Sequence, residues 1–328
     1  MTQGSSVAVQ AGAKVNPLLQ VHGRRSDGYH ELSTLMLGLD LHDRVVVTLR
    51  ESGAVSVTST GPFATPDISA DATNLAARGA EVAMGALGRS ASVSIELHKQ
   101  VPSRAGLGGG SSDAAAAALA TLELLRPGWE GSESGAAQVL EEAVVRGLGA
   151  MGADCAFFFA ARNHGAASST GRGERVEPLV ATPPWHVAIL TPAIECATPA
   201  VYGALDLPLL PAGFDSGEAG RAKAKDLLGT AASQARELLS NDLEEPAFRT
   251  FPALQEWRGL FEETGFGHFR LAGSGSSFFG LFDDAGSAEA ALAELRASAS
   301  QRDLGLRLAC VARPSADRLL HVEPGVSA

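Results

Sequence analysis

The chain has 328 residues, 45% of them hydrophobic and 19% charged, with a formal net charge of -11. That length suits one large or two medium domains with a real core. The acidic balance argues against nucleic-acid or anionic-membrane partners, which are held by clustered Lys and Arg. The three cysteines, Cys155, Cys196 and Cys310, are odd in number and far apart with no CxxC. They indicate neither a disulfide framework nor a thiolate metal site, and a reducing cytoplasm is expected. The opening MTQGSSVAVQAGAKV lacks a basic region followed by an apolar stretch, so no signal peptide is expected, and prolines cut the apolar region around Leu179 to Leu210. In chain order, alternation of apolar residues predicts strands near Val45 to Leu49, Val55 to Thr58 and Val93 to Leu97, with a helix over Asn74 to Leu87 between the last two. Helices over Ser112 to Leu125 and Ala136 to Leu148 follow, separated by the loop RPGWEGSESG. A second block runs from the strand WHVAILTP through helices near Ala219 to Ser240 and Pro252 to Thr264. It then continues through the strand–turn–strand FRLAGSGSSFFGLF, the helix SAEAALAELRA and the strand LRLACVAR. Strands mixed with helices without regular βαβ alternation predict an α+β fold, with a domain boundary near Leu179 to Pro184.

The stretch VPSRAGLGGGSSDAAAAALATLELL places three successive glycines ahead of an alanine-rich helix. A helix start carries unsatisfied N–H groups and partial positive charge, and glycines ahead of it let the backbone come close to an anion. Gly106 to Gly110 are expected to cradle phosphate, with Ser111 or Ser112 capping the helix and reaching a phosphate or Mg²⁺. The alternative is a plain loop and cap; the three glycines, the Ser-Ser pair and the preceding strand with Lys99 favour phosphate binding. The pattern is neither GxxxxGK[ST] nor GxGxxG, and no GxSxG elbow surrounds the serines.

VPSRAGLGGGSSDAA resembles the phosphate-binding motif of the GHMP kinases. AKVNPLLQVHGRRSDGYHEL, GADCAFFF, TGRGERVEPL, NDLEEPAF and LAGSGSSFFGLF extend the resemblance over roughly Ala13 to Phe282. It implies a two-domain GHMP kinase fold, with a ribosomal protein S5-like domain over residues 1–180 and a ferredoxin-like domain over 181–328. It also implies ATP-dependent phosphorylation of the 2-hydroxyl of a cytidine-diphosphate-linked methylerythritol, with Mg²⁺ arriving with ATP and no metal held by the protein alone. No nucleic-acid or membrane partner is implied, and the chain is expected as a monomer or homodimer.

Residue by residue, Lys14 and Asp154 match the catalytic pair, and phosphoryl transfer needs such a base beside positive charge. The resemblance assigns ATP binding to Asn74 and Lys99 at the adenine pocket and to Pro102, Ser103, Arg104, Ala105, Gly106, Leu107, Gly108, Gly109, Gly110, Ser111 and Ser112. It assigns substrate binding to Asn16, Tyr29, His30 and Tyr202, with cytosine between the two tyrosines and on the histidine. Gly273, Ser274 and Gly275 are read either as a second amide nest or as a simple β-turn. On local grounds alone Asp154 also reads as a structural or capping aspartate, Asn74 as a helix cap, and Lys14 and Lys99 as solvated lysines. Pro17, Ser103-Arg104 and Cys155-Ala156 depart from the family's usual residues. Two alternatives stay open: a kinase with another acceptor, in which Tyr29, His30 and Tyr202 would not face one another, and a nucleotide-binding pseudokinase.

Overall fold

The computed structural model describes residues 4–129, 135–180, 182–211, 214, 216–315 and 318–324. The first lobe grows from a long hairpin, β1 (Ser6–Arg24) and β2 (His30–Arg50), which pair antiparallel along most of their length. It continues through β3 (Ser56–Thr60), α1 (Leu75–Ala86), β4 (Ser92–His98), α2 (Gly109–Leu125), α3 (Gly135–Met151), α4 (Ala153–Ala160), β5 (Gly165–Gly171) and β6 (Arg175–Val180). The second lobe holds β7 (His186–Pro192), α5 (Thr198–Gly203), α6 (Gly217–Leu228), α7 (Ala232–Ala235), β8 (Ser240–Asn241), α8 (Glu244–Thr250) and α9 (Ala253–Glu263). After these come β9 (Arg270–Leu271), β10 (Phe278–Phe282), α10 (Ala285–Gln301), β11 (Leu306–Ala312) and β12 (Leu320–Val322).

The first sheet runs β12-β1-β2-β4-β3, with β5 also on β2, β6 on β5 and β8 beside β1. One face carries α1, α2 and α4 over a core that includes Val9, Val45, Ile95 and Phe158. Alanines make this layer thin: residues 114–118 of α2 are wholly buried, and a Cβ on Gly79 of α1 would lie 2.0 Å from the Ala114 carbonyl oxygen. The opposite face meets the second lobe in a shared core, where Ala13, Val15 and Leu37 pack with Trp185, Ile189 and Phe279. The second sheet, β11-β7-β10-β9, is antiparallel throughout. With helices after β7 and β10 it is a βαββαβ unit in the order expected of a ferredoxin-like domain.

The α+β expectation therefore holds, and the structure differs from the reading in specific places. The strand expected near Val45 to Leu49 is only the end of β2, because residues 31–39 before it are buried on both faces and lose the alternation that marks a half-exposed strand. The helix expected near Ala219 to Ser240 is broken after Leu228 into α6, α7 and a 3₁₀ turn at Arg236–Leu238. Residues 130–134 of the RPGWEGSESG loop lie outside the described residues. A division at 180/181 is crossed twice, by β8 and by β12, which both return to pair with β1. Among the described residues no helix is long and apolar enough to cross a membrane.

Candidate active site

The glycine-rich loop enters α2 through Gly108, which stands at the N-cap in the left-handed region with φ 76° and no side-chain cap. Serine capping is thus corrected: Ser111 and Ser112 lie inside the first turn, because only a residue without a Cβ suits the cap position. A Cβ on Gly108 would lie 2.9 Å from the Phe158 ring and 3.0 Å from Lys14 Cγ. Ser112 N–H donates to the Gly108 carbonyl at 2.9 Å, so the amides of residues 109–111 precede the first intrahelical bond. The loop is clamped from both lobes. Lys14 N–H donates to the Leu107 carbonyl at 2.9 Å, Ser277 N–H donates to that of Ala105 at 3.0 Å, and a Cβ on Gly106 would meet the Ala272 carbonyl at 2.0 Å.

β1 brings Lys14 beneath this loop, and the first turn of α4 brings Asp154 to it. Lys14 Nζ lies 3.4 Å from Asp154 Oδ2 and donates to Asn16 Oδ1 at 2.8 Å. Asn16 Nδ2 donates to Thr34 Oγ1 at 3.0 Å, and Thr34 in turn donates to the Leu18 carbonyl at 2.7 Å. Thr34 was missed by the sequence reading, since an isolated threonine in a strand carries no motif. Pro17 does no harm to the ladder. It sits with Asn16 in a bulge between Val15 and Leu18, where the pairing with β2 skips a step and the missing N–H removes no rung. Cys155, behind Asp154, is buried, and burial pushes its thiol up to about 11, leaving it an inert packing group.

Lys14, Asn16, Thr34 and Asp154 line a cleft of about 1130 Å³, together with Pro102, Ser103, Arg104, Ala105, Gly106, Gly108, Gly109, Gly110 and Ser111 and with Gly273 and Ser274 from the second lobe. A Cβ on Gly273 would lie 3.3 Å from Lys14 Nζ, so this turn abuts the Lys14–Asp154 pair. Arg104, in the left-handed region, reaches Glu195 of the second lobe at 3.3 Å. Tyr29, His30 and Tyr202 also line the cleft. The His30 and Tyr202 rings are 5.6 Å apart, and buried His30 Nε2 has no partner. Burial, and secondarily Arg24, holds the His30 pKa below the ordinary imidazole value. Burial raises the Tyr202 phenol, aided by Asp154, so both rings are neutral. Tyr29 is 54% exposed, and the Arg172 guanidinium lies 4.5 Å over its ring. Arg172, from the turn after β5, also lines the cleft and was not anticipated.

Five expected contacts are not on the cleft wall. Lys99 is buried and paired with Asp43 and Asp113, because its strand ends under α2. Burial opposes its charge, but the two carboxylates outweigh it and hold its pKa above the usual lysine value. Asp43 also accepts from the amides of Gln100 and Val101, so the cluster anchors the loop from below. Asn74 is the N-cap of α1, its Oδ1 accepting from Ala76 N–H at 2.8 Å and its Nδ2 donating to the Ser69 carbonyl. Leu107 is wholly buried in the inter-lobe core, and Ser112 is wholly buried with no partner for its hydroxyl. At Gly275 a Cβ would point to Leu271 and Cys196, away from the cleft.

Comparison with known proteins bears on the family of the chain. Family models described as "GHMP kinases N terminal domain" and "GHMP kinases C terminal" match residues 74–162 and 221–301. The 4-diphosphocytidyl-2-C-methyl-D-erythritol kinase of Thermus thermophilus is 39% identical over 294 residues, 88% of this chain and 92% of that protein. The kinase of the same name from Pelotomaculum thermopropionicum is 35% identical over 90% of this chain and 96% of that protein. A crystal structure of 4-(cytidine 5'-diphospho)-2C-methyl-D-erythritol kinase superposes with a TM-score of 0.65 at 34% identity, covering 94% of this chain and 100% of the other. A homoserine kinase from Cytophaga hutchinsonii, at 18% identity and a TM-score of 0.68 over 98% of this chain and 99% of its own, shares the fold. With its glycine-capped helix, its Lys–Asp pair and relatives this similar along nearly their whole length, the chain belongs to the GHMP kinase family, among its 4-diphosphocytidyl-2-C-methyl-D-erythritol kinases.

Proposed function

We propose that this chain transfers the terminal phosphoryl group of ATP to the 2-hydroxyl of 4-diphosphocytidyl-2-C-methyl-D-erythritol, a step of the non-mevalonate isoprenoid pathway in the cytoplasm. The observation that carries the reading is the Lys14–Asp154 pair, 3.4 Å apart in one cleft that the glycine loop and the His30–Tyr202 pair also line. The free amides of residues 109–111 take phosphate oxygens, and the Ser111 hydroxyl would be a hard oxygen ligand for a Mg²⁺ brought with the triphosphate, which would supply charge neutralisation on the phosphates. Asp154 accepts the proton of the alcohol as its oxygen attacks the terminal phosphorus, and ADP leaves on the opposite side. Lys14, oriented by Asn16 and through it by Thr34, stabilises the alkoxide that develops beside the carboxylate. Neutral His30 offers one donor and one acceptor to a base edge, while Tyr29 and Tyr202 supply stacking surface, worth about 1–3 kcal/mol per base.

The test is an acceptor panel with MgATP that includes mevalonate, homoserine and the cytidyl compound. Turnover of the cytidyl compound alone is expected. Phosphorylation of another acceptor in its place removes the substrate assignment, and nucleotide binding without turnover of any acceptor favours a pseudokinase.

A further inference from the structure

Glu31 follows His30 directly, yet its side chain turns away from the cleft and is almost completely buried. Four donors from three segments converge on it. Oε2 accepts from Arg25 Nη1 at 2.8 Å; Oε1 accepts from Gly171 N–H at 3.2 Å, Arg175 Nη2 at 3.0 Å and Ser216 Oγ at 2.8 Å. Arg25 belongs to the turn that presents Tyr29: its amide donates to the Tyr29 carbonyl at 2.7 Å, and its guanidinium and the Tyr29 amide both bond Asp27. Gly171 and Arg175 bracket the turn that carries Arg172, which covers the Tyr29 ring. Ser216 precedes α6, in the second lobe.

Burying a carboxylate is expensive, and an apolar side chain of similar volume would serve packing as well or better. What four donors around one carboxylate do supply is a fixed geometry. We propose that Glu31 is a positioning residue for the pyrimidine end of the substrate. It locks the turn bearing Tyr29 and His30 to the turn bearing Arg172, and both to the second lobe through Ser216. The inference rests on the cytidyl reading above, and it adds that recognition of the base is set by a buried group that never touches it.

The test compares the wild type with Glu31→Gln, Arg175→Met and Ser216→Ala, using cytidine 5'-diphosphate and a non-hydrolysable ATP analogue as separate calorimetric probes. Glu31→Gln should weaken cytidine diphosphate binding roughly tenfold or more, the scale of one lost charge-assisted hydrogen bond. It should leave the ATP analogue's affinity unchanged and raise KM for the cytidyl substrate by a larger factor than kcat falls. Ser216→Ala and Arg175→Met should shift the same ligand in the same direction by smaller factors, and they decide the matter by the same criterion if Glu31→Gln does not fold. Loss of both affinities in parallel would show a merely structural role and overturn the proposal, as would unchanged cytidine diphosphate binding in folded variants. A wild type that binds no cytidine diphosphate would instead remove the substrate reading, and this inference with it.

Discussion

The Asp154 side chain is 32% exposed and that of Lys14 only 5%, so the carboxylate is open to the cleft while the ammonium lies behind it. Replacing Asp154 by Asn keeps the shape and removes the proposed proton acceptor. Steady-state kinetics should show kcat lower by about 100- to 10,000-fold, the range of general-base catalysis, with the affinity for an ATP analogue unchanged. In the proposed reading His30 sets a pH limit on recognition of the base. Because burial lowers its pKa, the ring stays neutral as the pH falls to the ordinary imidazole value of about 6.5. Cytidine diphosphate affinity should therefore hold from alkaline pH down to that point and decline only below it, as the ring takes a proton. Calorimetry across that range checks the sign, since a decline setting in above the ordinary value would mean a raised pKa. Lys14, Asp154, Tyr29, His30 and Tyr202 were legible as motif positions. Lys99 was misplaced because a lysine after an amphipathic strand reads as exposed until its two carboxylate partners, one on β2 and one on α2, are seen.

For the elements, the decisive feature is how α2 begins. Its first turn is open to a ligand because Gly108 caps it in a left-handed conformation against Phe158 and the stem of Lys14. Gly108→Ala adds about 1–2 kcal/mol of backbone strain and forces a methyl group into those two neighbours. We expect a measurable loss of stability in chemical denaturation together with weaker ATP binding; a variant that binds ATP as the wild type does would mean that the cap geometry is not what shapes the cradle. The helix and its glycines could be read from composition and spacing. The capping residue could not, because Gly108 and Ser111 both suit a helix start and only the clearance beside Phe158 separates them. β5, GAASSTG, was invisible for a related reason: it has little apolar alternation, and its strand form comes from pairing with β2 and β6.

At the scale of the whole molecule, the two lobes are stitched by chain returns as well as by the shared core. β12 adds to the edge of the first sheet with Val9 opposite Val322, and Leu319 fills the space above Gly38, where a Cβ would lie 1.6 Å from Leu319 Cδ2. Leu319→Ala, although near the C-terminus, should destabilise the first lobe by about 2–5 kcal/mol. Urea unfolding followed by Trp129 fluorescence, from within that lobe's core, measures it; a shift confined to the second lobe would contradict this stitching. By itself the sequence determined the α+β class, the family, most of the helices and the residue types that chemistry requires, because local periodicity, helix-start composition and contiguous motifs are written in short windows. Only the tertiary structure decided which of those residues share a cleft, that Lys14 lines it while Lys99 is held between two carboxylates outside it, and that Glu31 ties three segments together. Those outcomes depend on contacts between residues far apart in the chain, whose partners no short window contains.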